Sequence, residues 1–128
     1  MRQRIASGSP LEPWIGFSRA VRVDDRVFVS ATAAIRPDGE VSEDVAEQAR
    51  RCLAIIGEAL EEAESSLADV VRTRVYLVDR EDGPAVAGVH GEVFGRTRPA
   101  TGFVVVSGFL DPRWKVEIEA DAVLQRNA

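Results

Sequence analysis

Along residues 114–124, WKVEIEADAVL, apolar and charged side chains alternate. Lys115, Glu117, Glu119 and Asp121 fall on one side. The other side carries Trp114, Val116, Ile118, Ala120 and Ala122. Because successive side chains of a strand point to opposite faces, this pattern predicts a strand with one face toward a core. The sheet that contains this strand therefore needs helices to cover that face.

Two segments have the apolar spacing of amphipathic helices. Apolar residues recur at intervals of three and four through residues 43–63, which predicts the longer helix. Pro84 suits a first helical turn and Gly95 suits a helix end, so a shorter helix is predicted from Pro84 to Phe94. Two helices can cover only one face of a sheet, which predicts an α+β fold with both helices on the same side.

Runs of β-branched and aromatic residues predict the other strands. They are residues 17–23 and 26–30, which form a hairpin, then 69–79 and 103–107, with a short additional strand at 2–5. We therefore expect a six-stranded mixed sheet in a single domain that spans residues 1–128. Residues 7–16 contain two prolines and two glycines, which predicts an ordered loop or a mobile lid without helix or strand.

The second face of this sheet is also too apolar to stay in water. The strand from Phe103 to Val106 is apolar on both sides, and Val70, Tyr76 and Val78 share a side with two arginines of their strand. Large exposed apolar patches mark interaction surfaces. The pattern therefore predicts that another subunit covers this face.

Length and composition exclude several classes of protein. The chain has 128 residues, of which 45% are hydrophobic, with one cysteine and a formal net charge of −5. The negative charge argues against a nucleic-acid partner, and one cysteine cannot form an internal disulfide or a cysteine-cluster metal site. Without a long apolar run, a signal peptide, a phosphate-binding glycine loop or a His/Cys cluster, we expect a cytoplasmic protein with no membrane contact, metal or cofactor.

Carboxylates of the last strand are the first candidates for chemistry. Glu117, Glu119 and Asp121 share one face of that strand. They form either a solvated strand face or a general acid/base in a cleft, and the pattern leaves both interpretations open.

Arginine, histidine and cysteine supply the other candidates. Arg96, Arg98 and Arg113 flank strand 103–107, where they either grip a ligand carboxylate or form surface ion pairs. His90 and Cys52 lie close to or within the apolar stripes of the two helices, which predicts packed rather than catalytic side chains.

Six short stretches, taken in order and with their spacing, carry a family resemblance. They are FSRA at 17–20, VFVS at 27–30, EQAR at 47–50, DVVRTRVYL at 69–77, RPAT at 98–101 and KVEIEA at 115–120. Together they resemble the Rid family, also called YjgF and often labelled endoribonuclease L-PSP. The resemblance implies a chorismate-mutase-like subunit and a homotrimer with small-molecule clefts at its subunit interfaces. The best-known activity of the family is the hydrolysis of reactive imines or enamines to 2-keto acids and ammonia.

The chain departs from the deaminase branch of that family. The branch has an arginine directly after a Pro-Ala pair, which holds the substrate carboxylate, whereas here Pro99-Ala100 is followed by Thr101. Three other departures are a phenylalanine for a cysteine at Phe103, a phenylalanine for a tyrosine at Phe17 and an alanine for a glycine at Ala31. The departures imply a changed or absent substrate.

The resemblance also implies roles for individual residues. Glu117 is expected to position the attacking water as the catalytic residue, and the expected ligand-binding residues are Phe17, Ser30, Arg98, Thr101 and Phe103. Arg98 is the candidate for a substitute carboxylate clamp. Two functions stay open: a hydrolase of imine- or enamine-like metabolites with a non-standard substrate, and a non-catalytic module that binds a metabolite or a protein partner. RNA cleavage ranks last because the chain is acidic.

Overall fold

A computed structural model describes residues 1–125 of the chain. Its strands form one sheet and are β1 Arg2–Ile5, β2 Ala20–Val23, β3 Arg26–Ala33, β4 Val70–Leu77, β5 Ala100–Val105 and β6 Val116–Val123. The two long helices are α1, Val45–Glu62, and α2, Gly83–Phe94. The predicted six-stranded mixed sheet with two helices is therefore confirmed.

The strand order places the last strand in the middle of the sheet. That order is β1-β2-β3-β6-β4-β5, and only β4 and β5 run parallel. Helix α2 supplies the crossover between these two strands, while α1 joins β3 to β4 with β6 inserted between them. Glu117 of β6 consequently lies beside Ala33 of β3 and Tyr76 of β4.

A single core fills the space between the helices and one face of the sheet. Helix α1 contributes Ala49, Cys52, Leu53, Ile56 and Leu60 to this core, each 2% exposed or less. Strand β6 contributes the apolar half of its alternating pattern, Val116, Ile118, Ala120 and Ala122, each 1% exposed or less. The alternation along β6 is therefore the direct cause of the two-layer architecture.

Polar contacts tie the start of α1 to the segment before β6. Asp44 caps the helix by accepting a backbone N–H bond at 3.0 Å. The fully buried Gln48 donates from Nε2 to the carbonyl oxygens of Ser42 at 2.7 Å and Arg113 at 2.9 Å. Its Oε1 accepts the N–H of Lys115 at 2.9 Å. This side chain therefore fixes the point at which β6 begins.

The prediction that residues 7–16 contain no helix is wrong. Glu12–Gly16 form one turn of π-helix, in which the N–H of Phe17 donates to the carbonyl oxygen of Glu12 at 3.1 Å. Pro13 suits the beginning of such a turn because it has no N–H to leave unpaired. A single turn is too short to produce a periodic apolar pattern, so the sequence signal for it was absent.

The predicted orientation of Val70 is also wrong. Its side chain is 2% exposed and belongs to the core, rather than sharing the outer face with Arg72. Strand β4 carries a bulge, because Val70 pairs with Ala122 while Arg72 pairs with the adjacent Asp121. The extra residue, Val71, reverses the side to which the preceding residue points.

Strand β5 forms an exposed edge of the sheet. It begins at Ala100, three residues earlier than predicted, because its backbone pairs with β4 from the Arg72–Ala100 position onward. Phe103, Val104 and Val105 are 41%, 47% and 56% exposed. The described residues therefore include an apolar edge strand that nothing in the single subunit covers.

Among residues 1–125, neither helix combines the length and the apolar character that a membrane span requires.

Candidate functional site

A cleft of about 1340 Å³ lies beside the end of the sheet where β3 and β6 meet. Its walls come from residues 5–19, the bulged end of β3, one side of α1 and the loop 107–114. Most of the lining is apolar, and a few charged side chains point into it. Small-molecule sites commonly have this form, a concave apolar surface with a few polar groups.

Glu117 is the carboxylate of β6 that lines this cleft. It lies on the face of the sheet turned away from the helices and is half-buried. Burial raises the pKa of its carboxyl group above the usual 4.5. Within residues 1–125, no hydrogen bond or ion pair occupies that carboxylate. A free carboxyl group with a raised pKa is suited to proton transfer at the wall of a cleft.

The two other carboxylates of the same face are paired with neighbouring side chains. Glu119 Oε1 accepts hydrogen bonds from Arg74 Nη1 at 3.0 Å and from the Tyr76 hydroxyl at 2.8 Å. Asp121 lies 3.9 Å from the same guanidinium group. The sequence left two interpretations open for these carboxylates, a solvated strand face and a general acid/base in a cleft. Glu119 and Asp121 belong to an ion-pair network with Arg74, whereas Glu117 is unpaired among the described residues and lines the cleft.

Phe17 and Ser30 are two of the predicted ligand-binding residues, and of these only Phe17 lines the cleft. Phe17 borders it directly and is half-buried. The Ser30 hydroxyl donates to the carbonyl oxygen of Arg19 at 3.0 Å, and the Ser30 N–H donates to the same oxygen at 2.9 Å. Ser30 therefore stabilises the β2–β3 pair, and the following Ala31 lines the cleft instead.

Thr101 and Phe103 lie on the helix-facing side of the edge strand β5. Thr101 Oγ1 is 2.7 Å from Thr73 Oγ1, which is in turn 2.8 Å from His90 Nε2. The ring of Phe103 is edge-on to the His90 imidazole, with 6.2 Å between ring centroids, and burial lowers the pKa of that imidazole. Strand β4 separates β5 from β6, so one subunit does not bring this pair together with Glu117.

Arg98 lies at the end of α2, outside the cleft walls that the described residues form. Its backbone N–H donates to the carbonyl oxygen of Phe94 at 2.8 Å, and its Nε donates to that of Gly95 at 3.2 Å. Its φ of 50° lies in the left-handed region that commonly ends a helix. Within its own subunit, the side chain therefore closes the helix end instead of facing Glu117.

Arg19 is a charged cleft residue that no sequence pattern indicated. Its side chain lines the cleft, and its Nη1 donates to Thr32 Oγ1 at 3.1 Å. The available signal was its spacing from Phe17, because residues two apart in an extended segment share a side. Trp114 also borders the cleft, and its buried indole N–H has no hydrogen-bond partner in the described part of the chain.

The described residues contain no group of three or more His, Cys, Asp or Glu side chains that could hold a metal ion. Burial raises the pKa of the Cys52 thiol to about 12, so this cysteine is protonated and unreactive at neutral pH.

A profile of the family described as endoribonuclease L-PSP matches residues 8–124. The chain belongs to this family. The Rid, or YjgF, resemblance drawn from the six sequence stretches is thus confirmed.

Relatives of the endoribonuclease L-PSP family include named deaminases. The chain is 36% identical over 124 residues to the goat 2-iminobutanoate/2-iminopropanoate deaminase, across 94% of this chain and 90% of that protein. It is 33% identical over 115 residues to the 3-aminoacrylate deaminase RutC of Acinetobacter baylyi, across 88% of each. The crystal structure of Rv2704 from Mycobacterium tuberculosis, of the YjgF/YER057c/UK114 family, matches with a TM-score of 0.90 and 41% identity, covering 97% of this chain and 100% of that one.

In this endoribonuclease L-PSP subunit, the expected site residues are divided between two surfaces. Phe17 and Glu117 border the cleft, whereas Thr101 and Phe103 lie on the β5 edge. Within one chain, these two pairs of residues do not form a single site.

Proposed function

We propose that this member of the family hydrolyses small imines or enamines in clefts that a neighbouring subunit completes. The observation that carries the proposal is Glu117, an unpaired, half-buried carboxylate with a raised pKa in a cleft of about 1340 Å³. Relatives named as deaminases of imino acids and of 3-aminoacrylate support this reaction class.

Hydrolysis of a C=N bond requires a proton acceptor near the reacting carbon. Water attacks the carbon of the C=N bond, and Glu117 takes the proton that the water loses as the C–O bond forms. Glu117 returns this proton to the nitrogen, which gives a carbinolamine. The nitrogen then takes up a second proton, and the hydroxyl group loses its own proton as the C–N bond breaks, so that ammonia leaves a carbonyl product. An enamine enters the same sequence after a proton moves to its β-carbon. A general base of this kind contributes roughly 10²- to 10⁴-fold to the rate.

The proposed assembly is the homotrimer that the family resemblance implies. Strand β5 supports it because its apolar side chains and one row of its backbone hydrogen-bonding groups are exposed at the edge of the sheet. In this arrangement β5 of one subunit packs beside the cleft of the next, so that Thr101 and Phe103 complete the wall that contains Glu117 and Phe17.

The second candidate is a non-catalytic binding module with the same clefts. It is favoured by Thr101, which provides no positive charge where the deaminase branch has an arginine. Phe17 and Phe103 make the site more apolar in the same direction. A module of this kind would bind a small apolar metabolite without turning it over.

Ammonia release from freshly generated imino acids of varied side chain distinguishes these functions. We expect the wild type to accelerate release and Glu117→Gln to reduce that acceleration by roughly 10²-fold or more. Glu58→Gln changes an exposed carboxylate of the same cleft and is the matched control, with little expected effect. Rates equal to buffer across the whole panel would favour the binding module, and light scattering that gives a monomer mass would remove the trimer.

Loss of activity in Glu117→Gln is separable from loss of folding. The raised pKa of Glu117 means that the folded protein holds its proton more tightly than the unfolded chain does. The stability contribution is therefore greatest at acid pH and falls as pH rises through the raised pKa. At neutral pH the variant removes a half-buried charge, so its Tm should equal or exceed that of the wild type.

A further inference from the structure

Arg19 enters the cleft from the segment just before β2, and the fold holds its side chain in place. Its Nη1 donates to Thr32 Oγ1 at 3.1 Å, and the Thr32 hydroxyl donates to the carbonyl oxygen of Ser30 at 2.8 Å. Thr32 is 0% exposed, so the bulged part of β3 provides a rigid support for the guanidinium group. This contact positions Arg19 but does not neutralise its charge, because a hydroxyl group is neutral.

No carboxylate within residues 1–125 forms an ion pair with Arg19. Glu12 attracts it electrostatically, but the Glu12 carboxylate is bound by the hydroxyl and N–H of Ser7. Arginine stays protonated in proteins, so the half-buried side chain carries a positive charge without a direct counter-ion. Such a charge is costly to desolvate, and an anion that binds beside it offsets that cost.

The other arginines near this site are less suited to the role. Arg51 also lines the cleft, but its Nε donates to the carbonyl oxygen of Ile35 at 3.0 Å. Arg36 lines the cleft from an exposed position, where water screens its charge. Arg98 closes the end of α2 and does not border the cleft of its own subunit. Arg19 therefore combines partial burial, fixed geometry and unused donors.

We propose that Arg19 is the residue of this cleft that binds the carboxylate of a small-molecule ligand. One of its five N–H donors contacts Thr32, which leaves donors for a charge-assisted pair with a carboxylate. Arg19 and Glu117 both belong to the lining of this cleft. The inference rests on the proposed use of this cleft as the small-molecule site and adds the residue that holds the ligand's carboxylate.

Binding of two nearly isosteric probes tests this assignment without any chemical step. Pyruvate carries the carboxylate, and pyruvamide replaces it with a neutral amide. We expect the wild type to bind pyruvate at least tenfold more tightly than pyruvamide in a calorimetric or NMR titration. Arg19→Gln should weaken pyruvate binding roughly 10- to 100-fold, while pyruvamide binding stays unchanged. Arg19→Lys should recover part of the loss, and Arg36→Gln, the exposed control in the same cleft, should bind both probes as the wild type does.

Three results would overturn the role of Arg19. In the first, wild type and Arg19→Gln bind pyruvate equally well. In the second, Arg19→Gln loses affinity for both probes alike and has a lower Tm, and in the third, the wild type binds neither probe. The outcome is independent of hydrolysis, because neither probe contains a C=N bond. Arg19-dependent pyruvate binding without ammonia release would support this inference and refute the proposed reaction.

Discussion

Replacing Gln48 with methionine tests the contact that fixes the start of β6. The side chain is 0% exposed and makes three hydrogen bonds, two donated by Nε2 and one accepted by Oε1. Methionine has a similar volume and no group to replace these bonds. Gln48→Met should therefore isolate the polar contribution from the packing contribution.

The expected magnitude follows from those three bonds. Each net hydrogen bond contributes about 1 kcal/mol, and a partner left unsatisfied in a buried site adds about 1–3 kcal/mol. Ser42 and Arg113 belong to surface segments, where water can reach their carbonyl oxygens after the substitution. We therefore expect the free energy of unfolding to fall by about 3 kcal/mol, toward the lower end of the possible range. For a domain of this size, that corresponds to a Tm decrease of about 10 °C.

Thermal and urea denaturation would measure this change. All variants are compared at one fixed protein concentration, because the proposed assembly would make stability depend on concentration. Gln3→Met makes the same substitution at an exposed position of β1 and should change stability by less than about 0.5 kcal/mol. Under the proposed function, Gln48→Met should also lower ammonia release, because Glu117 lies two residues after Lys115. A Gln48→Met protein that unfolds within about 1 kcal/mol of the Gln3→Met control would refute the reasoning.

Two further predictions concern local contacts. Asp44→Ala removes the side-chain cap at the start of α1 and should lower stability by about 1 kcal/mol in urea denaturation. Asp82→Ala is the control, because the Asp82 side chain makes no cap bond at the start of α2, and it should have little effect. Because burial holds the pKa of His90 below the usual 6.5, the unfolded chain binds a proton that the folded chain refuses, so stability should fall as pH drops below about 6.5. His90→Gln should weaken that decline in denaturation curves measured from pH 8 to 5, and an unchanged pH dependence would contradict the assignment.

The fold was largely predictable because its strongest signals are periodic. The alternation of β6 and the three-four spacing of α1 each extend over many residues, and both elements formed where expected. The two wrong predictions concern features that a repeating pattern of apolar residues does not specify. The π-helical turn at Glu12–Gly16 is too short to repeat, and the bulge at Val71 depends on the register with β6 rather than on the residues of β4 alone.

The candidate site was less predictable than the fold. The sequence named Glu117, Glu119 and Asp121 together, and their spacing gave no way to choose among them. Tertiary pairing made the choice, because Arg74 of β4 lies beside Glu119 and leaves Glu117 without a partner among the described residues. Arg98 looked suitable for binding a carboxylate because of its position in sequence, but its side chain is used at the end of α2.

Local and periodic properties were thus contained in the amino-acid sequence: the class of fold, the face of each long element and the family. They depend on neighbours a few residues away, which the order of residues specifies directly. Which carboxylate remains unpaired, and how Arg19 is held at the cleft wall, depended on segments that meet only after folding. Arg19 and Thr32 are separated by 13 residues, and Arg74 and Glu119 by 45, so pairing across the sheet decided their roles.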